Sequence, residues 1–103
     1  MCYDPGMKPS EALELHREDI RRVVAENRAM NPRVFGSVLH GKDNEESDLD
    51  ILVDTIKGAT SLFDIVRIKA DLEDMMNVSV DVRTPLDLPK KFRLKVLAEA
   101  LPV

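Results

Sequence analysis

The sequence feature that most constrains this chain is Ser47-Asp48-Leu49-Asp50-Ile51-Leu52-Val53, in which Asp48 follows the Gly36-Ser37 corner of Phe35-Gly36-Ser37-Val38 after ten intervening residues. Ile51-Leu52-Val53 reads as a strand buried on both faces, and a strand through Leu49–Asp54 puts Asp48 and Asp50 on one side of it. Two carboxylates two residues apart repel each other, and a cation between them relieves the repulsion. A Gly-Ser corner lets a backbone approach a phosphate closely. The pattern therefore predicts a divalent metal held beside a nucleoside triphosphate.

The rest of the chain supplies a frame for this site. Residues 1–9 hold two prolines and a glycine, which predicts a flexible N-terminal segment, with one folded domain over residues 10–103. Ser10 is expected to cap a helix over Glu11–Asn27, with Leu13, Ile20, Val23 and Val24 inward, and Met30-Asn31-Pro32 to break it. A first strand is expected over Arg33–Val38, followed by a loop or one short helical turn. A second helix starts from the cap Ser61, with Leu62, Ile65, Ile68, Leu72 and Met75 on its buried stripe. Val78–Val82 alternates as a third strand. Lys90–Ala100 forms a last helix with Phe92, Val96, Leu97 and Ala100 inward. The first two strands are joined too closely for a helical crossover and should be antiparallel. The fold class is α+β: a small mixed sheet of three or four strands packed with about three helices.

Asp81 lies in the valine-rich third strand. If that strand pairs beside the second, Asp48, Asp50 and Asp81 converge. Three carboxylates make the hard, all-oxygen donor set that suits Mg²⁺. Two such ions would clamp the attacking and leaving oxygens of a displacement at phosphorus, and Asp81 would help to deprotonate the attacking hydroxyl. Gly36 and Ser37 would hold the outer phosphates. The remaining polar residues have plainer readings. His40 is a solvated loop residue, and Asp43, Glu45 and Glu46 form a hydrated face. Asp54 ends its strand in a capping or turn role. Arg83 either reaches a phosphate or neutralises the acids. Lys90, Lys91, Arg93 and Lys95 form a basic patch on the last helix.

The 103 residues carry a formal charge of -4, which argues against a general nucleic-acid binder, and the low aromatic content, 4%, gives no platform for stacking single strands. No apolar run is long enough to cross a bilayer. The one cysteine, Cys2, cannot form an internal disulfide, which fits the cytoplasm.

Val-Phe-Gly-Ser, Ser-Asp-Leu-Asp-Ile-Leu-Val, Thr60-Ser-Leu-Phe-Asp64 and Val80-Asp-Val-Arg-Thr-Pro85 together resemble a minimal nucleotidyltransferase of the DNA polymerase β-like superfamily, in its MNT-type antitoxin branch. The resemblance spans roughly Arg33–Leu101. It implies the minimal nucleotidyltransferase fold, with ATP and Mg²⁺ at Gly36, Ser37, Asp48 and Asp50 and Asp81 as the third acid. It implies adenylylation of a tyrosine on a cognate HEPN-domain RNase toxin. His40 stands where that family commonly has Arg, and Arg83 where it has an apolar residue. The small remainder of the chain leaves no acceptor domain, so a partner protein is expected to complete the cleft. Two other expectations stand beside this one: an antitoxin that acts by binding alone, and a transferase acting on a small molecule or an RNA end.

Overall fold

The computed structural model describes residues 8–103. Residues 1–7 of the expected N-terminal segment, with Cys2, lie outside the described residues, and Lys8 and Pro9 open the first helix. The elements run α1 (Pro9–Leu15), α2 (Arg17–Glu26), β1 (Ala29–Phe35), β2 (Leu49–Thr55), α3 (Leu62–Met76), β3 (Val80–Arg83), a 3-10 turn (Pro85–Asp87), α4 (Lys90–Glu99) and β4 (Leu101–Pro102). The strands form one sheet in the order β3-β2-β1-β4. β1 and β2 are antiparallel, as their short connection requires, and β3 is parallel to β2 because α3 carries the chain back across the sheet.

The single first helix expected from the sequence is two helices. The break is at His16, whose backbone leaves helical geometry and whose Nδ1 lies 3.0 Å from Asp19 Oδ2. The N-cap of α1 is Lys8 rather than Ser10, and the N–H of Ser10 donates to Asp43 Oδ2 at 2.9 Å. Met30-Asn31-Pro32 lies inside β1 instead of breaking a helix. The strand register shifts between Met30 and Arg33, and this bulge absorbs Pro32, which has no N–H to give to a ladder.

One face of the sheet carries Val34, Leu49, Ile51, Val53, Val80 and Val82, which join Ile20, Val23 and Val24 of α2 and Ile68, Leu72 and Met76 of α3 in a single core. The buried stripe of α3 is Asp64, Ile68, Leu72 and Met76, so Ile68 and Leu72 lie inward as expected, while Asp64 and Met76 take the places expected for Leu62 and Met75. Leu62 is exposed, and Met75 only flanks the core. The reason is Asp64. Its carboxylate accepts the Ser61 N–H at 2.9 Å and Arg28 Nη2 at 2.6 Å, which satisfies a charge that hydrophobic patterning assigns to solvent. α4 also departs from its pattern. It has no buried residue and Phe92 is exposed, while the chain is fixed on either side of it by Leu88 and Val103.

The opposite face of the sheet holds the even-numbered residues of β2, by strand alternation. Only Leu52 among them is fully buried. The helices therefore leave this face partly uncovered, with its carboxylates accessible.

Candidate active site

β2 is central, so Asp50 has a strand on each side. It pairs with Phe35 of β1 and with Asp81 of β3. Directly opposed residues in neighbouring strands share a face. Asp48 lies one residue before β2, and its charge reaches Asp50. Pairing Asp50 with Asp81 brings together carboxylates that are 31 positions apart in the chain.

β1 ends at Phe35, and Gly36 has φ +76, a left-handed conformation that glycine adopts without strain. A Cβ at Gly36 would fall inside contact distance of Asp50 Oδ2 and 3.0 Å from Asp50 Cγ. The expected turn follows. The Gly36 carbonyl accepts the His40 N–H at 3.2 Å, and the Ser37 carbonyl accepts the Lys42 N–H at 2.9 Å. The N–H groups at the start of such a turn are not used by its own hydrogen bonds. The corner thus sets a Cβ-free backbone at Gly36 against the Asp50 carboxylate, with Ser37 next in the chain.

Burial holds the Asp50 pKa above the ordinary carboxylate range, at about 6, with the charges of Asp81 and then Asp48 adding to the effect and Arg83 opposing it. Asp81 Oδ2 accepts from Arg83 Nε at 3.0 Å. Among the described residues, no three acidic, histidine or cysteine side chains are close enough to form a ready-made cation cage. Asp81 is turned to Arg83, and Asp48 lies in the exposed approach to β2. The donor set nevertheless fits a hard divalent cation: three carboxylates on one face, one of them half-buried and destabilised as an anion by the other two.

The other singled-out residues have specific partners. Asp54 caps nothing. It accepts Arg33 Nη2 at 2.5 Å and Asn31 Nδ2 at 2.9 Å on the same open face. His40 Nε2 lies 3.3 Å from Glu99 Oε2 and ties the Gly-Ser turn to the end of α4. Arg83 faces Asp81, so it neutralises the acids in this state. Arg93 of the basic patch donates to the carbonyls of Leu86 and Leu88.

Sequence reasoning missed a cavity of about 440 Å³ lined by Met30, Asp54, Thr55, Thr84, Pro85 and Leu86. It also missed the pairing of Arg28 with Asp64. The Ser61-x-x-Asp64 spacing signals the cap, but nothing local points to Arg28, 36 residues away.

A four-stranded mixed sheet with a Gly-Ser corner abutting paired aspartates defines a minimal nucleotidyltransferase. Residues 18–102 match the family described as Polymerase beta, Nucleotidyltransferase, and the chain belongs to that family of enzymes. It is 39% identical over 70 residues to a Methanocaldococcus jannaschii protein named "Putative protein adenylyltransferase", covering 68% of this chain and 74% of the relative. It is also similar to a solved structure described as a putative minimal nucleotidyltransferase, with TM-score 0.80 and 39% identity over 91% of this chain and 95% of the other. A chain from a crystal structure of a toxin-antitoxin with AMP-PNP shares the fold at TM-score 0.68 and 17% identity, over 82% of this chain and 69% of that one.

Proposed function

We propose that this protein is an antitoxin that transfers AMP from Mg-ATP to a tyrosine hydroxyl of a cognate HEPN RNase toxin and so silences it in the cytoplasm. The observation that carries the reading is the row formed by Gly36 just past β1, Asp50 of β2 and Asp81 of β3, with the charge of Asp48 acting on Asp50. The name of the Methanocaldococcus jannaschii relative supports transfer of AMP to protein. The likeness in fold to a toxin-antitoxin chain fits a toxin as the acceptor.

In this reading residues 10–103 are one catalytic domain. Asp48, Asp50 and Asp81 hold the divalent cations, and Gly36 and Ser37 receive the outer phosphates. Bound Mg²⁺ would neutralise charge on the phosphates and on the departing pyrophosphate. The acceptor oxygen forms a bond to the α-phosphorus. The bond from that phosphorus to the bridging oxygen breaks, and pyrophosphate leaves with the electron pair. Asp81, which accepts from Arg83 Nε at 3.0 Å, would take the hydroxyl proton once it is released from Arg83. Gly36 lets a phosphate approach where any side chain would meet Asp50.

The test mixes purified protein with the toxin, labelled ATP and Mg²⁺, and reads AMP on a toxin tyrosine by mass spectrometry. Asp48→Asn with Asp50→Asn should abolish both the label and toxin neutralisation. If the double variant neutralises as well as wild type and the wild type adds no AMP, the catalytic reading fails and neutralisation is by binding.

A further inference from the structure

The cavity lined by Met30, Asp54, Thr55, Thr84, Pro85 and Leu86 has no part in holding metal or phosphate, yet it opens on the same face as the carboxylates. Its volume, about 440 Å³, falls within the roughly 300–1,000 Å³ typical of ligand sites. We infer that it is the acceptor subsite: it receives an apolar side chain of the acceptor polypeptide, two or three residues from the hydroxyl that is modified. This rests on the reading above that AMP is transferred to a protein hydroxyl.

β2 runs from Leu49 to Thr55, and the Gly36 corner lies at its start, one residue past the Phe35–Asp50 pair. The cavity lies at its far end, where Asp54 pairs with Met30 and the parallel strand β3 runs out into Thr84. Asp50 stands between them, about 13 Å from Asp54 at the rise of an extended strand. In-line displacement puts the leaving pyrophosphate and the incoming hydroxyl on opposite sides of phosphorus. With the outer phosphates at Gly36 and Ser37, the acceptor must come from the cavity side. An extended chain covers about 3.3–3.6 Å per residue. A residue two or three positions from the reacting one, with its own side chain, therefore spans the gap.

The lining suits such an occupant. Met30 and Leu86 are 50% and 83% exposed, an apolar rim left open among the described residues. Asp54 is already neutralised by Arg33 and accepts a hydrogen bond from Asn31, so the cavity does not present a bare charge. The wall is also set in advance. Asp87 accepts from the N–H and hydroxyl of Thr84, and Arg93 reaches the Leu86 and Leu88 carbonyls. Engagement by a side chain is favoured over addition of a strand at the β3 edge, because the N–H and C=O of Val80 are taken by Glu73 and Lys69 at 3.0 and 2.8 Å.

The experiment uses an array of tyrosine-centred peptides varied at each flanking position, with α-labelled ATP and Mg²⁺. Wild type should prefer an apolar over an acidic residue by about tenfold at one position two or three from the tyrosine. Leu86→Asp and Met30→Asp should erase that preference, while Leu94→Asp on α4, equally exposed, should keep it. Titration with AMP-PNP should give the same affinity for Leu86→Asp as for wild type, and circular dichroism should show the variant folded. A flat preference, a preference that survives Leu86→Asp, or no labelled peptide overturns the inference. Weakened AMP-PNP binding by Leu86→Asp also overturns it, by placing the nucleoside in the cavity. If peptides are labelled with the expected preference but the toxin is not, the choice of partner fails and the subsite stands.

Discussion

Gly36 lies so close to Asp50 that a single added methyl group would collide with the carboxylate. The residue just past β1 and a carboxylate of β2 therefore form one unit. The backbone at Gly36 is left-handed, and the space beside it is already occupied by Asp50 Oδ2. Gly36→Ala should lower stability by about 1–2 kcal/mol through backbone conformation alone. Displacement of Asp50 should reduce AMP transfer more than 100-fold, about 2.7 kcal/mol in the barrier. Urea unfolding and kcat/KM separate the two effects.

Asp50 imposes a cost on the metal-free protein. Its folded pKa of about 6 lies above the unfolded carboxylate value, so the folded state binds the proton more tightly. The stability this proton confers is complete below the unfolded value, near pH 4, and is lost as pH rises through 6. Asp50→Asn should therefore stabilise the protein in EDTA by about 1 kcal/mol at pH 7.5, allowing for solvent screening, and change little at pH 3.5. The same variant should lose AMP transfer. Urea titrations at the two pH values check the stability claim.

Arg83 and Asp81 form a half-exposed pair. Such a pair contributes about 0–1 kcal/mol, so Arg83→Ala should leave the midpoint of unfolding almost unchanged. It should free Asp81 for a cation and lower the half-saturating Mg²⁺ concentration by about threefold, the order of a surface pair's strength. Magnesium titration of AMP transfer measures this. A rise in the KM for ATP instead would mean that Arg83 contacts phosphate.

Asp64 joins the start of α3 to the turn between α2 and β1 through Ser61 and Arg28. The Ser61 N–H and the Arg28 guanidinium hold its carboxyl below the usual range. A depressed folded pKa gives stability that is present above the unfolded value and lost as pH falls through the folded one. Asp64→Asn should lower the Tm clearly at pH 7, and the gap to wild type should close as pH falls below 4. Thermal melts across pH 2.5–7 test it, and AMP transfer at low temperature should survive.

Much of the site was legible in short stretches because its chemistry is local. Asp48 and Asp50 reach one face by the two-residue period of a strand, and Gly36-Ser37 marks its own turn. The fully buried Ile51-Leu52-Val53 run announces a central strand. Elements failed where a polar group was satisfied from far away. Asp64 is buried against Arg28 and joins Ile68 and Leu72 on the buried stripe of α3, a place that hydrophobic spacing does not give to a carboxylate. Pro32 looked like a helix stop, but a bulge accommodated it inside β1. α4 looked amphipathic, yet Phe92 is exposed and Val96, Leu97 and Ala100 are only half-buried.

By itself the sequence determined the central strand, its paired carboxylates, the glycine corner and the α+β class, since each depends on residues within a few positions of one another. Only the tertiary structure decided that Asp81 lies opposite Asp50, that Arg83 occupies it, and that Met30, Asp54 and Leu86 enclose a cavity at the far end of the same face. Strand order and register set those relationships. They emerge when the whole sheet packs against α2 and α3, because burial of one face fixes which residues are left on the other.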